Sequence, residues 1–136
     1  MPPRLMVHEE DPKDVIFKQV GMTKDLKIPG FTLFGNRVLC GIYEMPEKTR
    51  SGIIMPDRSR DESKHQGKAW LVLALGPTAF VSDDQFTFGP EHKLEVGDWC
   101  MGFVSLGMQC TINGQLCRLV RDQDIPFKIP FPDQVW

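Results

Sequence analysis

No stretch of this chain carries a long 3.6-residue apolar period, and every apolar run is short and stopped by Gly or Pro. That pattern excludes a helical bundle and predicts an all-β fold, a small barrel. The first strand is expected in NRVLCGIYE (36–44), where Val38, Cys40 and Ile42 alternate with Leu39, Gly41 and Tyr43. Ala69 to Leu75 reads as a near-continuous apolar strand ending at Gly76-Pro77. Leu94-Glu-Val-Gly-Asp98 predicts a tight turn into a strand over Trp99–Val104. The run MQCTINGQLCRLV (108–120) has Asn113-Gly114 at its centre, the strongest short hairpin signal. A two-residue turn there pairs 112 with 115, 111 with 116 and 110 with 117. Residues 121–125 predict a short capping turn with an acidic start, and a small hairpin is expected around AFVSDDQFTF.

Length and charge narrow the classes. With 136 residues the chain holds one domain with a real core. Hydrophobic content of 41% and charged content of 25% are ordinary for a globular protein. The formal net charge is −2 and the Lys and Arg residues are scattered, which argues against nucleic-acid binding. No run approaches a membrane span. The N-terminal MPPRLMVHEEDPKD is acidic and lacks an apolar h-region, so synthesis and residence in the cytoplasm are expected.

The domain plan follows. Residues 1–30 are read as an N-terminal extension that packs on the surface of its own domain or a neighbour's; their periodicity does not choose between strand and helical turn. The barrel is expected over 31–125. In the tail 126–136, Pro126, Pro130 and Pro132 forbid a helix or an interior strand. Four cysteines are present, with no CxxC pair and no His at metal-ligand spacing, so no zinc site is expected. Cys110 and Cys117 would face each other across the hairpin. They could join in an oxidising setting, and in a reducing cytosol they are expected as free thiols.

The loop 46–68 is the most informative functional stretch. PEKTRSGIIMP is polar and turn-rich up to Ser51-Gly52, then gives Ile53, Ile54 and Met55, closed by Pro56. The flank beyond, DRSRDESKHQGK, is nearly all polar and cannot add to a core. On pattern alone an edge strand with the three apolar residues turned inward is the plainer reading. A displayed hook for a partner is the sharper one.

The order of segments decides between them. RVLCGIYEMPEKT (37–49), SGIIMP (51–56), GKAWLVLALGP (67–77), KLEVGD (93–98) and INGQLCRLVRDQDI (112–125) follow one another as in the GroES family of co-chaperonins, which this chain resembles over about 36–125. Each motif alone is weak; the ordered set is fairly specific. Residues 1–30 and the aromatic tail have no family counterpart, and the segment joining the apolar strand to VGD lacks a recognisable roof hairpin. Such drift would suit a virus-encoded relative.

The resemblance implies a GroES-like β-barrel in a homo-oligomer, a heptamer, capping a GroEL-type chaperonin ring and assisting protein folding. It implies partner binding through Gly52, Ile53, Ile54, Met55 and Pro56. It also implies subunit contacts through the first and last strands, here Arg37, Val38, Leu39, Leu119 and Ile125. Apart from the resemblance, Trp136, an aromatic after Pro-Phe-Pro with no core role, reads as an anchor into a neighbouring subunit, the plainer reading being a frayed tail. No cofactor and no enzymatic activity are expected; no phosphate-binding Gly-rich loop is present. The run from Asp57 fails as a calcium loop, because Glu62 stands where Gly is needed and Lys68 where Glu is needed. The zinc alcohol dehydrogenases that share the barrel are set aside for want of metal ligands. The alternative is a structural protein on the same barrel, a virion capsid decoration subunit bound to a viral capsid protein, with its extensions strapping neighbours together.

Overall fold

The computed structural model describes residues 10–43, 69–82, 84 and 87–132. They form one helix, α1 (Pro12–Val20), and six strands: β1 (Arg37–Ile42), β2 (Ala69–Leu75), β3 (Trp99–Met101), β4 (Met108–Ile112), β5 (Gln115–Arg121) and β6 (Phe127–Ile129). The strands make a single antiparallel sheet in the order β4-β5-β1-β2-β3-β6. This is the all-β class expected for a small GroES-like barrel.

The hairpin takes the register that Asn113-Gly114 dictates, with Ile112 opposite Gln115, Thr111 opposite Leu116 and Cys110 opposite Cys117. Asn113 and Gly114 both have positive φ, 51° and 86°, as a tight hairpin turn requires. At 94–98 the turn is closed by Glu95 N–H donating to Asp98 Oδ2 (2.8 Å) and Asp98 N–H donating to the Glu95 carbonyl (3.0 Å). The strand that follows stops at Met101, three residues short of the expected end; Phe103 to Leu106 turn instead, with Leu106 N–H on the Phe103 carbonyl.

Both faces of the two central strands are covered. Every residue of β1 except Arg37 is buried, as are the first five of β2. One face carries Leu39, Tyr43, Ala69, Leu71, Leu73, Trp99, Cys117 and Ile129. The other carries Val38, Cys40, Ile42, Trp70, Val72, Cys100, Leu116, Val120 and Ile125, closed over by Phe80 and Leu94. A bulge keeps the phases right. Leu39 pairs with Ala74 and Cys40 with Val72, so Leu73 is the extra residue and Leu73 and Ala74 both turn to the first face.

Residues 10–30, read from the sequence as a surface extension, supply core. Asp11 caps α1 through Lys13 N–H (2.9 Å), Pro12 opens it, and Gly21 in the left-handed region ends it. Ile16 and Val20, one turn apart, lie with Ile28 in the first-face core. Gly41 makes room for the helix: a Cβ there would stand 2.8 Å from Ile16 Cγ2. Asn113 ties the hairpin tip to the helix end. Its side-chain amide donates to the Val20 carbonyl (3.0 Å), and its own carbonyl accepts from the Gln19 amide.

On the second face, a buried carboxylate fixes the connection after β2. Asp122, at the start of a turn of 3-10 helix (Asp122–Asp124), accepts from Phe80 N–H (2.9 Å) and from the Asn36 side chain (3.1 Å). Phe80, held at φ 61°, then packs against Phe88 and His92. The hairpin expected around AFVSDDQFTF has no strand ladder among the described residues; Ser82 Oγ accepts from Phe88 N–H (2.9 Å) instead. The tail yields β6, a three-residue strand between Pro126 and Pro130 at the sheet edge, where the prolines can be accommodated.

All four thiols are free. The Cys40 thiol is pushed well up by its hydrogen bond with Cys100 and by burial. Cys117 is pushed up to about 12, first by burial and then by the facing Cys110.

Two outcomes are expected. Ile16→Ala should cost about 2–5 kcal/mol in urea unfolding, since it opens a cavity between helix and sheet; no loss would mean that α1 does not belong to the cooperative core. A thiol whose folded pKa is raised stabilises the fold fully below the unfolded thiol value, about 8.5, and loses that contribution as pH rises toward about 12. Stability should therefore fall through that alkaline window, and Cys117→Ala should flatten the fall.

Candidate functional site

The predicted partner-binding residues Gly52, Ile53, Ile54, Met55 and Pro56 lie outside the described residues, as does Trp136. What the structure does describe is the place where that loop leaves and returns. Ile42 pairs with Trp70 across β1 and β2, and Tyr43 N–H donates to the Ala69 carbonyl (3.0 Å), so both feet are tied by the ladder itself. Tyr43 and Ala69 are fully buried, and Tyr43 meets Trp99 edge to face at 5.9 Å. Gln115 adds a side-chain bond to the Ile42 carbonyl (3.2 Å).

Beneath the second foot lies a feature the sequence reading missed. Trp70 is fully buried, and its ring fills the space above Gly102, where any Cβ would collide with it. Arg118, 5% exposed, places its guanidinium 5.8 Å from the Trp70 ring centroid. Its Nη1 donates to the Leu106 carbonyl (2.7 Å), while Nε is buried without a partner. The arginine thus brackets Trp70 and pins the 103–107 turn, and no carboxylate neutralises it among the described residues. The sequence held one cue, a charged residue at a position of CRLV where the alternation asks for an apolar one.

The expected subunit-contact residues divide. Arg37 is exposed and Leu119 half-buried. Val38, Leu39 and Ile125 are inside the subunit. Both edges of β1 are occupied within the chain, by β2 and β5, so that strand has no free backbone to offer a neighbour. Among the described residues, the sheet's outer edges belong to β4 and β6. Large apolar side chains stand exposed near them: Met108 at 60% and Phe103 at 60% beside β4, and Phe127 on β6. Phe31 and Phe34 are exposed in the extended approach to β1.

No group of three or more metal-ligating side chains occurs among the described residues, and no described helix is long and apolar enough to cross a membrane. His92 sits in ring contact with Phe88 at 4.8 Å, while His8 and His65 fall outside the described residues.

Because an unpaired buried cation stabilises poorly, Arg118→Met should leave stability within about 1.5 kcal/mol of wild type or raise it. Arg118→Ala should lower it by about 2–5 kcal/mol through lost packing on Trp70. Equal losses in thermal unfolding would show that the charge itself is required.

Comparison with known proteins accounts for the order of these elements. The family model for the chaperonin 10 kDa subunit (Cpn10) matches residues 31–129. Co-chaperonin GroES of Geobacillus thermodenitrificans is 33% identical over 91 residues, covering 67% of this chain and 89% of that protein. The protein of the same name from Parageobacillus thermoglucosidasius is 34% identical over 91 residues with the same coverage. That from Clostridioides difficile is 33% identical over 94 residues, covering 68% and 89%. The matched segment begins after α1, and the chain belongs to the chaperonin 10 kDa family of co-chaperonins.

Proposed function

We propose that this chain caps a GroEL-type chaperonin ring, with Ile53, Ile54 and Met55 as the side chains that enter an apolar groove on the chaperonin. Gly52 gives the backbone its turn into the groove and Pro56 ends the docked segment. The observation that carries the reading is the position of SGIIMP in a chain of this family, between two strand ends that are paired and buried. Anchored feet hold a loop in place without contributing to its own docking energy.

Magnitudes support a shared, multivalent contact. Burying three such side chains yields roughly 5–9 kcal/mol gross, and ordering a segment on binding costs about 2–5 kcal/mol. A single loop therefore binds weakly, and copies carried on one ring bind together through effective concentration. A weak unit contact also permits release. The chain contributes no chemistry of its own in this reading; nucleotide is bound and hydrolysed by the chaperonin.

The oligomer, a heptamer in this proposal, is cytoplasmic. Its neighbour contacts fall to the outer edges at β4 and β6 and to exposed residues such as Arg37, with Trp136 as an added anchor. Val38, Leu39 and Ile125 support these contacts from within the subunit. The capsid-decoration alternative relied on two extensions as straps. Residues 10–30 place Ile16, Val20 and Ile28 in the core of their own subunit, which favours the lid reading.

Ile54→Asp should abolish chaperonin binding and leave the oligomer intact. Native mass spectrometry of wild type and variant, each with and without chaperonin and nucleotide, reads both at once. Binding retained by the variant would sink the proposal; a variant that no longer assembles would place Ile54 in the subunit contact instead.

A further inference from the structure

We propose that Cys110 and Cys117 form a cross-strand redox pair, closed by exchange with a small disulfide such as oxidised glutathione, which fastens the hairpin that holds α1. The two residues are direct partners in the β4–β5 ladder. Opposed residues in an antiparallel pair have Cα atoms about 4.5–5.5 Å apart, inside the range of about 4.4–6.8 Å that a disulfide spans. The Cα spacing therefore permits the bond, and Cys117 Sγ, which donates to the Gln115 carbonyl (3.4 Å), turns toward Cys110 to close it. Both side chains turn to the α1-covered face, Cys117 within its core and Cys110 packed against it. Cys40 and Cys100 lie on the opposite face, where they hydrogen-bond each other.

Access is unequal in a useful way. Cys110 is half-buried on β4 and Cys117 is buried on β5. Cys110 is therefore the entry point. Its thiolate attacks one sulfur of the small disulfide, forming a mixed disulfide and expelling one small thiolate, which takes up a proton. Cys117, giving its proton to solvent, then attacks the Cys110 sulfur and expels the second small thiolate. Two protein thiols and one small disulfide become one protein disulfide and two small thiols, with two electrons passing to the small molecule. Burial lifts both protein thiols, so the exchange is slow near neutral pH.

The consequence lies at the hairpin tip. Asn113 is enclosed by the Cys110–Cys117 link and holds α1 through Val20 and Gln19. Closing the short loop removes open states of the hairpin, and with them a route by which α1 lets go of the sheet.

The test uses the full chain treated with oxidised glutathione in mildly alkaline buffer. The expected product has lost the mass of two hydrogens and gives a crosslinked peptide joining Cys110 to Cys117, absent from Cys110→Ser. Amide hydrogen exchange across 108–121 and 12–20 should slow by about tenfold or more in the oxidised protein. A stable mixed disulfide on Cys110 without closure, a link between Cys40 and Cys100 in its place, or no product at all would overturn the pair. A Cys110–Cys117 link that leaves exchange in α1 unchanged would overturn the fastening role.

Discussion

The packing of β1 against β2 is the contact on which everything else rests, and it is unusual for an antiparallel pair in having no wet face. Antiparallel sheets commonly leave one side to solvent and show it as alternation along the strand. Here AWLVLAL is apolar at every position, because Trp70 and Val72 face one core while Ala69, Leu71 and Leu73 face another. The core on the face of Leu71 and Leu73, the first face, includes Ile16 and Val20 of α1. Gly41 is the point of closest approach, where a β-carbon would press on Ile16. A sheet of this composition without its helix would lose part of the cover over that apolar face, a surface of the kind that drives association.

The helix is attached by more than burial. Asn113 has to adopt a left-handed conformation to turn the hairpin, and few residues do so cheaply. The same residue uses its side chain to satisfy the carbonyl of Val20 at the helix end, where intrahelical partners run out. One residue thus sets the β4–β5 register and docks an element nearly a hundred positions earlier in the chain. Asp122 does the corresponding work on the other face, joining the entry to β1 at Asn36 with the loop at Phe80.

What was legible in the sequence follows from how local each signal is. The hairpin register was readable because two adjacent residues determine it, and β1 and β2 because their apolar runs are bounded by Gly and Pro. The helix was not read, although Asp11-Pro12 and Gly21 bracket it with an N-cap and a C-cap. Nine residues give too few turns for a period, and Val15, exposed beside buried Ile16, blurs the stripe. β6 could be given only an edge, because three prolines forbid an interior strand but do not name its partner. The expected contact residues Val38, Leu39 and Ile125 proved internal because pairing order is a long-range property: only the sheet shows that β1 is central. Arg118 was passed over for a similar reason, since its partners Trp70 and Leu106 are distant in sequence.

The same geometry explains why a loop between β1 and β2 is a sound place for a partner-binding segment. A binding loop gains from a base that does not move, because motion at the feet would spread its tip over many positions and lower the effective concentration of every copy. Here the feet are the ends of the two most buried strands, joined by ladder bonds and backed by Tyr43 against Trp99 on one side and Arg118 against Trp70 on the other. Unfolding either foot would break into a core, so a segment held between Tyr43 and Ala69 has a base fixed by the barrel itself.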